Sequence, residues 1–229
     1  AIKDFFDTIN TNNIKWADLD DKKSENIIND SIEKVMEQYE NDALNDIARS
    51  AFIKKQVKDT STETVNALVK HIRSGNFLPR EYELRIAHGR VDRVDTFEDG
   101  NNIYVKVIDY KSGNKVFNVT ETFLGLQMQL MVYLKDTVDY IKKNNPDKNV
   151  YPAAGLYFHV YDPYVSEIDC EKAVSDFRKN NPDSELSDEE LKKMAIEGER
   201  FKAYRMSGLV AKEIEIVNAM DHNTITKTG

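Results

Sequence analysis

The apolar residues of this chain first change their period at Pro79. Before it they recur every three or four positions, the spacing of a helix with one buried face. After it they recur every second position, as in a strand that turns alternate side chains inward. A chain with that switch is neither all-helical nor all-strand, so it must lay helices against a sheet. Ile2, Phe5, Phe6 and Ile9 open an amphipathic helix over residues 1–12. Ser24 is placed to cap a second, with Ile27, Ile28, Ile32, Val35, Met36 and Tyr39 on one face. Two more helical patterns cover 42–57 and 61–73, the latter closed by Gly75.

Beyond Pro79, residues 82–88 and 90–96 read as strands, and Glu98-Asp99-Gly100-Asn101-Asn102 is a hairpin turn before a third strand at 103–110. Thr120 or Thr122 opens a long helix to about Lys143, stopped by Asn144, Asn145 and Pro146. Residues 151–161 are apolar enough for a strand buried on both faces. The polar stretch 162–187, with Pro163 and Pro182, predicts an irregular surface segment; helices follow at 188–199 and 210–220. The expected organisation is one α/β domain: a helical part over 1–79, a mixed-sheet core over 80–161 and a helical extension over 162–229. The chain reads as cut at both ends.

With 229 residues, 40% of them hydrophobic, the chain can bury a sizeable core. No apolar run approaches the roughly 18 residues of a membrane span, and the N-terminus lacks the pattern of a secretory signal, so a cytoplasmic location is expected. The single Cys170 supports neither an internal disulfide nor a multi-thiolate metal site. A net charge of -8 argues against a broad basic face for duplex DNA. Any nucleic-acid track must be local, with Arg90, Arg93, Lys106 and Lys115 as its candidates, although alternating charge on a strand is commonly just a solvated face.

Asp109 and Lys111 lie two apart on the third strand and so share a face. Asp92, 17 positions earlier and across the hairpin, comes to the same end of the sheet. Strand parity sets Asp95 on the face opposite Asp92, leaving one of the two as a ligand, Asp92. Two neighbouring carboxylates suit Mg2+ or Mn2+, completed by water, a substrate phosphate and the carbonyl of Tyr110. Such a cation activates water for phosphodiester hydrolysis, and Lys111 beside it can orient that water or stabilise the developing oxyanion.

Asp-x-Lys by itself is a poor signal, since Asp20-Asp21-Lys22 and Asp21-Lys22-Lys23 match it in a polar loop. Only 109–111 ends an apolar strand run and precedes a helix with Gln129 and Tyr133 one turn apart. The competing reading of Asp92, Asp109 and Lys111 is a surface salt-bridge cluster. That of Gln129 and Tyr133 is a polar position beside a packed aromatic, and Gln127 reads as surface or packing. Glu83 is either a solvated strand residue or a water-mediated metal contact. His88 is a strand-edge polar group or a phosphate contact, His159 a hydrogen-bonded histidine in a half-buried strand, and His71 and His222 have no ligand partner at useful spacing.

Gly89-Arg-Val-Asp92-Arg-Val-Asp95, Ile108-Asp-Tyr-Lys-Ser112 and Gly125-Leu-Gln-x-Gln129-Leu-x-x-Tyr133-Leu, in that order, resemble the RecB-like branch of the PD-(D/E)xK nucleases. Within it they are most similar to the nuclease domain of the AddB-type subunit of bacterial helicase-nucleases. Tyr204-Arg-x-x-Gly-Leu-Val210 before Ala219-Met-Asp221 adds a weaker match, so that the resemblance covers about 80–221. It implies a restriction-endonuclease-like mixed sheet with an αβββαβ core and a C-terminal helical insertion. It further implies Mg2+-dependent exonucleolytic cleavage of single-stranded DNA fed by a helicase, in double-strand-break repair with an AddA-like partner subunit. Asp92 and Asp109 match the family's metal carboxylates, Lys111 its catalytic lysine, and Gln129 with Tyr133 its motif on the active-site helix. The family's Gly-x-x-x-His segment and its four iron-sulfur cysteines have no counterpart in this chain. A catalytically incomplete structural or DNA-guiding module and a standalone RecB-like exonuclease are the alternatives.

Overall fold

The protein's structure, a computed structural model, describes residues 2–40, 47–113, 116–182 and 185–225. It divides into two compact units, Ala1–Tyr161 with Met206–Gly229, and Asp162–Arg205. In the first, α1 (Ile2–Thr11), α2 (Asp21–Glu40) and α3 (Ile47–Arg73) precede a meander of β1 (Leu78–Ile86), β2 (Gly89–Asp99) and β3 (Asn102–Lys111). The short α4 (Val119–Phe123) and α5 (Gln129–Asn144) then carry the chain over to β4 (Asn149–His159). In the second unit α6 (Glu167–Asn180) packs on α7 (Asp188–Ala203), and the chain re-enters the first through β5 (Ser207–Val210) and α8 (Ile214–Ala219).

Among the described residues the sheet runs β1-β2-β3-β4-β5, with β4 parallel to β3 and every other pairing antiparallel. Gly100 supplies the positive φ (57°) that the tight β2–β3 turn requires. On one face Leu84, Val91, Val94, Ile103, Val105 and Val107 pack with Ile141 of α5. Toward α1, Phe6 stacks on Tyr82 with ring centroids 4.7 Å apart. The mixed α/β sheet and its helix-strand-strand-strand-helix-strand core agree with the order of periodicities in the sequence.

Local departures have local causes. Asp20, not Ser24, caps α2: its Oδ1 accepts the Lys23 N–H at 2.7 Å, so the Asp-x-Lys matches at 20–23 open a helix rather than lie in a loop. The patterns at 42–57 and 61–73 merge into α3 from Ile47 onward, residues 41–46 lying outside the described ones. The expected helix from 120 to 143 is split. Gln127 accepts from Asn118 N–H (3.0 Å) and donates to Glu121 Oε2 (2.6 Å) and the Val116 carbonyl (3.3 Å), bracing a turn between α4 and α5. The stretch 162–187 is not irregular throughout: Ser166 Oγ accepts the Asp169 N–H and starts α6, whose surface is too charged to show a helical apolar stripe. The expected helix at 210–220 shortens to α8: Val210 pairs with Ala154 of β4, and the Ala211 N–H donates to the Ala153 carbonyl at 2.8 Å.

His71 is buried, with Nδ1 2.7 Å from Asp221 Oδ1, and the Asn76 N–H donates to the Ala219 carbonyl at 2.8 Å. Together these fasten the segment after α8 to the end of α3. Burial raises the Asp221 pKa, but the hydrogen bond and charge of His71 outweigh it and hold the carboxyl well below its ordinary range.

Candidate active site

The β2–β3 register ends on the pair Arg93–Ile108, next to which Asp92 and Asp109 follow on their strands. The Tyr110 N–H donates to Asp92 Oδ2 at 2.8 Å. Asp109 is buried and forms an ion pair with Lys111. The Lys111 ammonium also donates to Gln129 Oε1 at 3.2 Å and lies 5.1 Å from the centre of the Tyr157 ring. Gln129 Nε2 in turn donates to the Tyr133 hydroxyl at 3.0 Å. A Cβ on Gly89, whose φ is +149°, would lie 2.9 Å from that hydroxyl. So Gly89, Asp92, Asp109, Lys111, Gln129 and Tyr133, drawn from β2, β3 and α5, meet at one end of the sheet.

Regular alternation breaks down at this point. Val91 and Val94 both enter the cluster facing α5, although an odd spacing should send them to opposite faces. Asp92 lies within that interruption. Across from it on β1, between the pairs Tyr82–Arg93 and Leu84–Val91, Glu83 has a φ of +49°, a left-handed conformation uncommon for a non-glycine residue. Period-two reasoning carries no signal of such a kink. Glu83 is ion-paired to Lys3 (3.4 Å) and Arg90 (3.8 Å), and with Asp92 and Tyr110 it lines a cavity of about 180 Å³ against α1. Burial raises the Asp92 pKa; the Tyr110 N–H opposes this, and the charge of Asp109 adds to it.

The basic track is smaller than expected. Arg93 is buried completely, its Nε and Nη2 bonded to Asp95 at 2.6 and 2.7 Å and its guanidinium 5.2 Å from the centre of the Phe6 ring. It cannot meet DNA phosphate, because its charge is consumed inside the fold. Lys106 is likewise buried, 3.1 Å from Asp95 and 5.0 Å from the Phe77 ring centre. Asp95 is therefore held by two cations, apart from the Asp92 cluster. Arg90 stays exposed, and Lys115 lies outside the described residues.

A feature the sequence did not announce is the pair His88–Asp136. The buried Asp136 carboxylate accepts the His88 N–H at 3.1 Å and lies 2.7 Å from its Nδ1, tying the β1–β2 turn to α5. That hydrogen bond pulls the Asp136 pKa down. Only the i, i+7 spacing of Gln129 and Asp136 could have hinted that one face of α5 carries both contacts. His159 Nδ1 is 2.9 Å from the Gly113 carbonyl.

Among the described residues no three His, Cys, Asp or Glu side chains converge. The available oxygen donors are the carboxylates of Asp92 and Asp109 and the carbonyl of Tyr110. A hard-oxygen set of that size fits Mg2+, which usually keeps several of its waters, and the unfavourable ionisation of Asp92 is what a cation there would relieve.

Residues 1–218 match the PD-(D/E)XK nuclease superfamily. Similar proteins include the B component of the ATP-dependent helicase/deoxyribonuclease of Clostridioides difficile (strain 630), 30% identical over 93% of this chain and 18% of that protein. The components of the same name from Thermoanaerobacter sp. (strain X514) and Exiguobacterium sibiricum are 29% and 28% identical, over 90% and 96% of this chain. The chain spans about a fifth of the length of these curated relatives, 18–19%. Among the described residues no helix is long and apolar enough to cross a membrane. With a restriction-endonuclease-like mixed sheet and a match over almost its whole length, the chain belongs to the PD-(D/E)XK nuclease superfamily.

Proposed function

We propose that this chain is the nuclease domain of a helicase-nuclease complex and hydrolyses phosphodiester bonds of single-stranded DNA as an exonuclease, in double-strand-break repair. The observation that carries the reading is the contact chain from Asp109 through Lys111 and Gln129 to Tyr133, ending over Gly89 beside Asp92. A surface salt bridge would not recruit a second element to hold its lysine. The names of the relatives, each the B component of an ATP-dependent helicase/deoxyribonuclease, support the helicase-nuclease setting; a cytoplasmic location and an AddA-like motor subunit belong to the same proposal.

Asp92, Asp109 and the Tyr110 carbonyl would hold Mg2+ or Mn2+, which when bound acidifies water and offsets phosphate charge. Lys111, fixed between Asp109 and Gln129, donates to the oxygen on which charge develops. Tyr133 keeps Gln129 turned toward Lys111. Arg90, exposed beside Asp92, meets a neighbouring phosphate of the strand.

The test is cleavage of an end-labelled single-stranded oligonucleotide in Mg2+ or Mn2+. Asp109→Asn and Lys111→Ala are each expected to slow it by about a hundredfold or more, in the range found when one transition-state donor is lost. Wild-type rates in Asp109→Asn would overturn the assignment. DNA binding without cleavage by the wild-type chain would establish a non-catalytic, DNA-guiding module instead.

A further inference from the structure

A cleft of about 370 Å³ opens beside Lys111, lined by Ser112, Val116, His159 and Tyr161 as well as by Lys111 itself. We propose that it is a nucleobase subsite, taking one unpaired base of the strand whose phosphate lies at Asp92, Asp109 and Lys111; this rests on the nuclease reading above. Its place in the fold favours a ligand. β3 and β4 run parallel with Lys111 registered against His159, so the cleft sits at their carboxyl ends, the edge at which open α/β sheets bind ligands. Its volume is within the range of small-molecule pockets, roughly 300–1,000 Å³.

The lining suits a base. Val116 is 65% exposed and Tyr161 38% exposed, so the cleft offers solvent an apolar side chain and an aromatic ring, the kind of surface on which bases stack. A carbonyl can only accept, so the contact to the Gly113 carbonyl assigns the hydrogen to Nδ1 of His159 and leaves Nε2 of a neutral ring as an acceptor. With the Ser112 hydroxyl, the cleft then has both donor and acceptor groups for a base edge. Lys111 belongs to the cleft and to the phosphate site alike, which joins the two. A base inside a duplex is stacked and paired and cannot enter, so the cleft selects single-stranded substrate without help from a motor.

Binding of a fluorescent oligothymidylate, measured in Ca2+ to suppress turnover, tests this in the whole chain. Tyr161→Ala is expected to weaken binding about tenfold, within the span measured for loss of one stacked base, and Tyr161→Phe to leave it unchanged. An abasic residue scanned along the strand should cost the wild type a similar factor at one position, and Tyr161→Ala nothing further there. Val116→Asp, at an exposed position, should reproduce the loss with the melting temperature unchanged. Independent, multiplying effects of variant and abasic residue, or wild-type binding by both Tyr161→Ala and Val116→Asp, would overturn the subsite. The nuclease reading fails separately, if Asp109→Asn still cleaves at the wild-type rate.

Discussion

Ionised Asp92 works against the fold. Its pKa is raised by burial first and by the charge of Asp109 in addition, so the folded state holds the proton more tightly than the unfolded chain does. Stability from this group is therefore full below the ordinary carboxylate range and falls as pH rises through the folded pKa. Without metal at pH 7, Asp92→Asn should melt above the wild type, and the difference should vanish near pH 3. Mn2+ should raise the melting temperature of the wild type but not of the variant. A variant that melts below the wild type at neutral pH would contradict this electrostatic account. Gly89 makes the complementary case for space: at φ +149° and with the Tyr133 hydroxyl 2.9 Å from where a Cβ would lie, a methyl group must displace Tyr133 from Gln129. Gly89→Ala should lower the cleavage rate about tenfold or more while circular dichroism stays that of the wild type, a loss of positioning rather than of fold.

Among the elements, α5 organises the site. Its first turn supplies Gln129 to Lys111, its second places Tyr133 over Gly89, and Asp136 beyond them holds the β1–β2 turn through His88. The same helix buries Leu130, Thr137 and Ile141 against the sheet, so the polar stripe is aimed by the packing of the apolar one. The split between α4 and α5 belongs to this arrangement. A continuous helix from 120 would not leave Gln129 and Tyr133 in the opening turns of a helix starting at the site. The agent of the split, Gln127, has the sequence appearance of any surface amide; its role comes from Asn118, Val116 and Glu121, which the turn brings to it.

Across the fold as a whole, buried charge ties distant segments together. Arg93, Asp95 and Lys106 form one such group beneath Phe6 and Phe77, and His71 with Asp221 another. Burial raises the pKa of Asp95, but Arg93 and then Lys106 outweigh it and the carboxyl ends below its ordinary range, as does Asp221. A depressed carboxylate contributes stability above the unfolded pKa and loses it as pH falls toward the folded one, so both groups predict acid unfolding below about pH 4. Arg93→Met strands Asp95 with Lys106 alone and should cost about 3–5 kcal/mol in urea unfolding, the scale for breaking a buried pair. Adding Asp95→Leu and Lys106→Met together, so that no buried charge is left unpaired, should restore most of the loss; no recovery would mean that packing rather than charge carries the contribution.

The order of amino acids is enough to settle the α/β class, the β1–β2–β3 meander and the succession of Asp92, Asp109, Lys111, Gln129 and Tyr133, because side-chain period and turn chemistry are local properties that the chain displays directly. Arg93 shows where that reach ends: Arg90 and Arg93 look alike as residues, and only packing under Phe6 makes one an internal counter-ion and leaves the other at the surface. The kink at Asp92 and Glu83, the His88–Asp136 tie and the pairing of β5 with β4 likewise arise only once the chain has folded. Each depends on a partner in another element, and no local period records which partner burial will bring.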